Sequence, residues 1–309
     1  MMKVLFVSSA KTGDVGHVVR NQGESLQKDG VEIDYLIIEP GVCGYLRAIS
    51  RIKRAFREGG YDLVHAHYSL SAFSATLAGV KPLVVSLMGS DAFAPWVVRV
   101  IIRILSSLIW SATIIKTEEM KARLRLARAL VLPNGVDLMR FAPVDKSKAR
   151  AHLNLATESK VILFITMRDR PEKDLPLAMR AIKSLNENSV EFIHLYDKQN
   201  SEIAWYLNAA DLLLLTSKRE GGVNVIKEAM ACNCPIVSTD VGDVRYVISD
   251  TQGCYVSGHD ENSLADNIRK ALAFRQRTNG RLRITELGLD SSTVAKKIID
   301  IYLILKRRG

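Results

Sequence analysis

No run in the 309 residues is long and apolar enough to cross a bilayer. The most apolar stretch, Trp96 to Ala112, falls short of the ~20 residues a helical span needs. Within it Arg99 and Arg103 cost roughly 2.5–3.5 kcal/mol each, about cancelling what its Val, Ile and Leu side chains contribute to insertion. Asp-x-Asp is absent, so a bound divalent cation has no evident carboxylate pair. Gly-x-Gly-x-x-Gly is absent too, and with it the dinucleotide fingerprint. Cysteine is scarce: Cys43, Cys232, Cys234 and Cys254 lack the spacing of a zinc site, and Cys232 and Cys234 are expected to be buried, reduced thiols of a cytoplasmic protein. The opening MMKVLFVSS is too short and too abruptly polar for a signal peptide and reads as a first strand. Internal repeats and low-complexity segments are missing as well.

With 48% apolar and 25% charged residues, the composition is that of a soluble globular protein, long enough for two domains. A net charge of +10 calls for an acidic partner: nucleic acid, an anionic membrane surface or a phosphorylated ligand. The basic residues cluster with aliphatic ones, and no aromatic-interleaved or RNA-binding signature accompanies them, which weighs against nucleic acid. Strands and helices alternate along the chain, predicting α/β architecture with two parallel, helix-covered sheets.

The chain is organised around Asp211 to Val244. Leu212 to Leu215 form a continuous apolar run, as in a strand buried on both faces. Gly221 and Gly222 then break the periodicity. Asn224 is suited to a helix N-cap, and Val225, Ile226, Ala229 and Met230 form the apolar stripe of the helix that follows. Free backbone N–H groups at such a helix start favour an anion, and ligands of open α/β sheets sit at this edge. Asn224 and Glu228 share a helix face beside that anion. A carboxylate repels phosphate, so Glu228 suits ribose hydroxyls, and Glu220 lies where a second polyhydroxylated group would be. A phosphate flanked by carboxylates that read hydroxyls points to a nucleotide-sugar. Solvated surface glutamates are the plainer alternative.

The segment EGGVNVIKEAMACNCPIVSTDVGDV resembles the donor-site signature of retaining glycosyltransferases of family four (group 1), whose common form is EGxxNVxxEAMAxGxPVVxxxVGG. MRDRPEKDLPLAMRAI resembles the same family's GRLxxEKGxxxLIxAI, and VLPNGVDLMRFAP its interdomain segment PNGVDxxxFxP. The resemblance implies a GT-B fold, two Rossmann-like domains with parallel sheets facing across a cleft. It divides the chain into an acceptor domain over 1–140, a donor domain over 141–290, and a last helix over 291–309 that crosses back to the first domain. It implies that Arg168 and Lys173 hold the donor diphosphate, that Glu220 positions the sugar and stabilises its positive charge, and that the amides of Gly221, Gly222 and Val223 hold donor hydroxyls. HAHYSLSA resembles the family's HxHY/F segment and places His67 near the transferred sugar. MGSD resembles HGSD, giving Gly89, Ser90 and Asp91 as residues of the cleft, with Met88 in place of a histidine. Gly13 and Gly16 fall in the first glycine-rich loop, without the usual adjacent pair.

These expectations add up to a retaining glycosyltransferase with no metal or other cofactor, for which the nucleotide-sugar is a substrate. Within the family the chain looks most like enzymes of bacterial surface-polysaccharide synthesis, acting in the cytoplasm or on the inner face of the membrane. The expected acceptor is a polyprenyl-linked glycan. Gly44 to Arg57 carries Arg47, Arg51, Lys53, Arg54 and Arg57 with no compensating acid, so this helix either faces an anionic membrane or is simply solvated. Trp96, Arg99 and Arg103 would extend the same surface. The competing readings are an epimerase-like enzyme or phosphorylase on a similar fold, a basic nucleic-acid-binding protein, and a non-catalytic partner subunit.

Overall fold

The computed structural model describes residues 1–9, 15–166, 170–187, 189–196, 198 and 200–307. The chain divides into two compact units, Met1–Gly135 with Ser291–Gly309, and Val136–Asp290.

In the first unit strands and helices alternate as β1 (Met2–Ser9), α1 (His17–Lys28), β2 (Val31–Ile38), α2 (Val42–Glu58), β3 (Leu63–His67), α3 (Ser69–Leu77), β4 (Leu83–Ser86), α4 (Trp96–Leu108), β5 (Ala112–Ile115), α5 (Glu118–Leu124) and β6 (Leu130–Val131). The six strands form one parallel sheet in the order β2-β1-β3-β4-β5-β6. Side chains alternate across each strand. In β1, Leu5 and Val7 join a core with Ala48 and Ile52 of α2, Ala72 of α3 and Ile102 of α4. Val4 and Phe6 join the opposite core, with Val19 and Leu26 of α1.

The second unit runs α6 (Lys146–His152), β7 (Lys160–Thr166), α7 (Leu175–Lys183), β8 (Val190–Tyr196), α8 (Asn200–Ala209), β9 (Leu212–Leu215), α9 (Asn224–Ala231), β10 (Ile236–Thr239), α10 (Val244–Ile248), β11 (Cys254–Ser257), α11 (Glu261–Phe274) and α12 (Gly280–Glu286). Its five strands are parallel in the order β11-β10-β9-β7-β8. β9 is central and buried on both sides: Leu213 and Leu215 face the core that includes α9, Leu212 and Leu214 the core that includes α7 and α11. Each such leucine contributes about 1.5–3 kcal/mol of gross burial energy, which fixes the strand from which the site loop springs.

The last helix, α13 (Ser291–Lys306), packs on the first unit. Val294, Ala295, Ile298, Tyr302 and Leu305 lie at helical spacing in the core shared with α1. Lys306 closes on Asp62 at 2.7 Å. The Tyr302 hydroxyl lies 2.5 Å from His65 Nδ1, and His65 Nε2 lies 2.8 Å from Ser86 Oγ, so a buried polar chain ties α13 to β3 and β4.

Of the two outward helices, α4 departs from the sequence expectation and α2 does not. On α2, Tyr45, Ile49, Ile52 and Phe56 pack inward, Leu46 is exposed, and all five basic residues face outward. On α4, Arg99 and Arg103 are half-buried, with Arg103 Nε donating to the Leu124 carbonyl, so of the residues expected to extend a basic surface only Trp96 is exposed. The outer face of α4 is instead apolar: Trp96, Val97, Val100, Ile101, Ile104 and Leu108 are 36% to 78% exposed.

Candidate functional site

In the second unit the loops after β7 and β9 are tied together. Thr216 Oγ1 donates to the carbonyls of Lys173 and Asp174 at 2.8 and 3.0 Å, and the Lys218 N–H donates to the Glu172 carbonyl at 2.8 Å. This brings Lys173 Nζ to 2.6 Å from Glu220 Oε1, to which Ser217 Oγ also donates at 2.9 Å. Lys173 and Glu220 are 13% and 12% exposed, buried enough for their pairing to be directed yet open enough to exchange it for a ligand. Asp174, adjoining, sits in the left-handed region at φ 49° and takes Lys218 Nζ and His259 Nε2 at 3.1 and 3.3 Å. Arg168, the other residue expected at the diphosphate, lies outside the described residues.

Gly221 and Gly222 follow Glu220, and among the described residues their N–H groups donate to nothing. Val223 differs from expectation. Its N–H donates at 2.8 Å to Asp243 Oδ1, so it is not available to a donor hydroxyl. Val223, not Asn224, occupies the N-cap of α9, with no side-chain cap. Asn224 is the first helical residue, and Glu228 lies one turn further on. Burial pushes the Glu228 carboxyl up to about 7, against the opposing pull of Lys227, Arg140 and Lys173. Asp243 and Lys227, both almost fully buried, pair at 2.7 Å beneath the glycine loop. Neither figured among the sequence candidates. The available signal was a lysine set within the apolar text of α9.

In the first unit His67 ends β3, its neighbour His65 one pleat earlier. His67 is fully buried, its ring stacked on that of His65 at 4.4 Å. Burial, reinforced by Lys116 and opposed by the Val7 carbonyl, pushes His67 down to about 3, so its imidazole is neutral at physiological pH. Neither ring nitrogen has a well-directed hydrogen-bond partner among the described residues. Asp91 is also buried, and its two oxygens accept the N–H groups of Ser69 and Met88 at 2.9 and 2.8 Å, which ties the ends of β3 and β4 together. Gly89 at φ 112° and Ser90 begin the one-turn helix that carries Asp91. Gly16 stands at the N-cap of α1, with open space where a Cβ would lie, and Gly13 lies outside the described residues.

Among the described residues no three His, Cys, Asp or Glu side chains are grouped as ligands for a metal ion. Cys232, Cys234 and Cys254 are buried and unpaired, as expected of structural thiols, and burial pushes Cys232 up to about 12.

Residues 14–140 match the family described as Glycosyltransferase Family 4, and residues 150–273 that described as Glycosyl transferases group 1. The chain is a glycosyltransferase. A D-inositol 3-phosphate glycosyltransferase of Xylanimonas cellulosilytica is 28% identical over 353 positions, covering 94% of this glycosyltransferase and 82% of the relative. A putative teichuronic acid biosynthesis glycosyltransferase of Bacillus subtilis is 27% identical, covering 68% and 61%. Among solved structures, sucrose-phosphate synthase from Thermosynechococcus elongatus superposes with a TM-score of 0.82 over the whole of both chains at 18% identity. Anabaena HepE in complex with UDP-glucose gives 0.73 at 18% identity, covering 97% and 99%. The glycosyltransferase thus has the two parallel-sheet α/β domains of the GT-B fold.

Proposed function

We propose that this glycosyltransferase moves a sugar, with retention of configuration and without a metal ion, from a nucleoside-diphosphate sugar to a polyprenyl-linked glycan in the synthesis of a surface polysaccharide. The observation that carries the donor reading is the Lys173–Glu220 pair beside the two unpaired amides of Gly221 and Gly222, with Glu228 one turn into α9. Lys173, with Arg168, offsets the charge growing on the departing diphosphate. Glu220 holds the sugar and stabilises its developing positive charge, and Glu228 accepts hydrogen bonds from ribose hydroxyls. The UDP-glucose held by HepE supports a donor of this class, and the teichuronic acid relative supports a surface polymer as product.

Thermal shift across UDP-, GDP-, ADP- and TDP-sugars tests the donor reading. The matching donor at 100 times its dissociation constant adds about 2.7 kcal/mol of stability. A chain whose melting temperature responds to none of them has no donor site of this kind.

The Glu228 carboxyl makes donor binding pH-dependent. Hydroxyl donors favour the carboxylate, so association of a nucleotide-sugar, whose diphosphate diester does not titrate here, weakens as pH falls below 7, approaching tenfold per unit. Glu228→Gln binds more weakly at pH 8 and loses the dependence. Stability moves the opposite way. A carboxyl raised from 4.5 to about 7 favours the folded state fully below pH 4.5, and that contribution is lost as pH rises through 7. Glu228→Gln therefore melts above the wild-type chain at pH 8. Calorimetry and melting at pH 6, 7 and 8 check both, and a wild-type affinity flat across that range excludes the ribose role.

A further inference from the structure

The Lys227–Asp243 pair is unused by the chemistry above, yet it adjoins the donor loop. Asp243 stands at the N-cap of α10, where its side chain would ordinarily accept an N–H of its own helix, and it makes no such bond. Its Oδ1 reaches instead to the Val223 N–H, while Oδ2 lies 2.7 Å from Lys227 Nζ. Lys227 comes from α9, whose N-cap is Val223, so the carboxylate joins the entrance of that helix to its first turn. Both side chains are 5% exposed or less. A carboxylate this deep needs a cation, and no other cation contacts it among the described residues. The adjoining Gly242 adopts φ 58°, and a Cβ there would stand 3.2 Å from the Gly221 carbonyl oxygen and 3.4 Å from Glu220 Cβ. The turn carrying Asp243 is therefore in contact with the backbone of the glycine loop itself. Asp243 stands where the common form of the motif quoted above has its last glycine.

We propose that Asp243, held in place by Lys227, is a positioning residue that fixes the Gly221–Gly222 turn by fastening the Val223 amide, and so sets how the two neighbouring amides meet the transferred sugar. The proposal rests on the donor reading above. Lys227 lies against Oδ2, and Oδ1 takes the Val223 amide out of the set of donor-binding amides. Sugar recognition by the loop then falls to Gly221 and Gly222, while the nucleotide, read by Glu228, is indifferent to the brace.

Two double variants separate this role from mere stabilisation. Lys227→Met with Asp243→Asn removes both charges but leaves an amide oxygen to accept the Val223 N–H. Lys227→Met with Asp243→Ala removes the charges and the acceptor. The first is expected to turn over a nucleotide-sugar within about threefold of wild type, and the second about tenfold more slowly, the worth of one lost hydrogen bond. Affinity for the free nucleoside diphosphate should be the same in both. Amide exchange at Val223 should quicken about tenfold in the alanine variant only. Equal turnover and equal Val223 exchange in the two variants would overturn the proposal, as would a parallel loss of diphosphate affinity, which marks a general disturbance of the domain. A wild-type chain that binds no nucleotide-sugar sinks the donor reading instead, and the Val223 exchange still decides whether Asp243 fastens the loop.

Discussion

Lys173→Ala lowers turnover about a hundredfold or more while leaving the fold intact. The size follows from the role proposed for Lys173. A leaving diphosphate gains charge as its bond to the sugar breaks, and removing one preorganised electrostatic donor from such a site costs roughly 2.7–4 kcal/mol in the transition state. The folded chain pairs Lys173 with Glu220 at 2.6 Å, so the substitution also strands a carboxylate that is 12% exposed. Glu220→Gln, which keeps the shape and the hydrogen bond from Ser217, separates the two effects. Its turnover should fall comparably with nucleoside-diphosphate affinity nearly unchanged. Because the two side chains act on one another, the double variant should lose far less than the product of the single losses. Arg168→Ala should resemble Lys173→Ala, since the family resemblance implies the same role for both. Single-turnover rates with and without EDTA make the measurement. Turnover in Lys173→Ala within a few-fold of wild type, or strict dependence on magnesium or manganese, would remove the metal-free electrostatic account.

Much of the second unit was legible because its sequence signals are physical requirements. A strand buried on both faces has to be apolar at every position, and Leu212 to Leu215 are. Two departures from the common motif sit in tight turns: Asn233 and Asp174 stand where glycine is usual and adopt φ 54° and 49°, the left-handed region that these short polar side chains tolerate. Hydrogen-bond bookkeeping was not legible. Nothing in the text of residues 220–243 says that Asp243 would forgo its own helix and take the Val223 amide, because that depends on the approach of two loops. His65 and His67 lie on β3, and their burial depends on α13 and on Phe6, distant in sequence. Helix faces were half legible. The uncompensated basic residues marked the outward face of α2, but on α4, apolar almost all round, spacing could not say which side lacked a cover.

That uncovered side gives the second large effect. Among the described residues no helix is long and apolar enough to cross a membrane. α4 nevertheless leaves Trp96, Val97, Val100, Ile101, Ile104 and Leu108 in water, a contiguous stripe of the kind that marks an interaction surface. α2 covers the same face of the first sheet and turns Arg47, Arg51, Lys53, Arg54 and Arg57 outward. An apolar stripe lying in the headgroup region contributes on the order of 1 kcal/mol per side chain withdrawn from water, and each basic residue near an anionic leaflet adds about 1 kcal/mol. On this reading, either set alone would give weak, reversible attachment, and the two together a peripheral membrane site. Such a site suits an enzyme whose acceptor keeps its lipid in the bilayer. Sedimentation with vesicles containing anionic lipid should therefore carry the chain down, and recovery should fall steeply from low to moderate salt as screening removes the α2 contribution. Ile101→Glu with Ile104→Glu should weaken binding more than tenfold at low salt and abolish it at moderate salt, where the α2 charges are screened, while Arg51→Glu with Arg54→Glu should weaken it more than tenfold at low salt and little at high salt. Turnover of a water-soluble acceptor analogue should be the same in all of them, since neither helix face carries a residue of the proposed donor site. Equal recovery of the wild-type chain with neutral and anionic vesicles, or none with either, would leave the positive charge to solubility and the acceptor in solution.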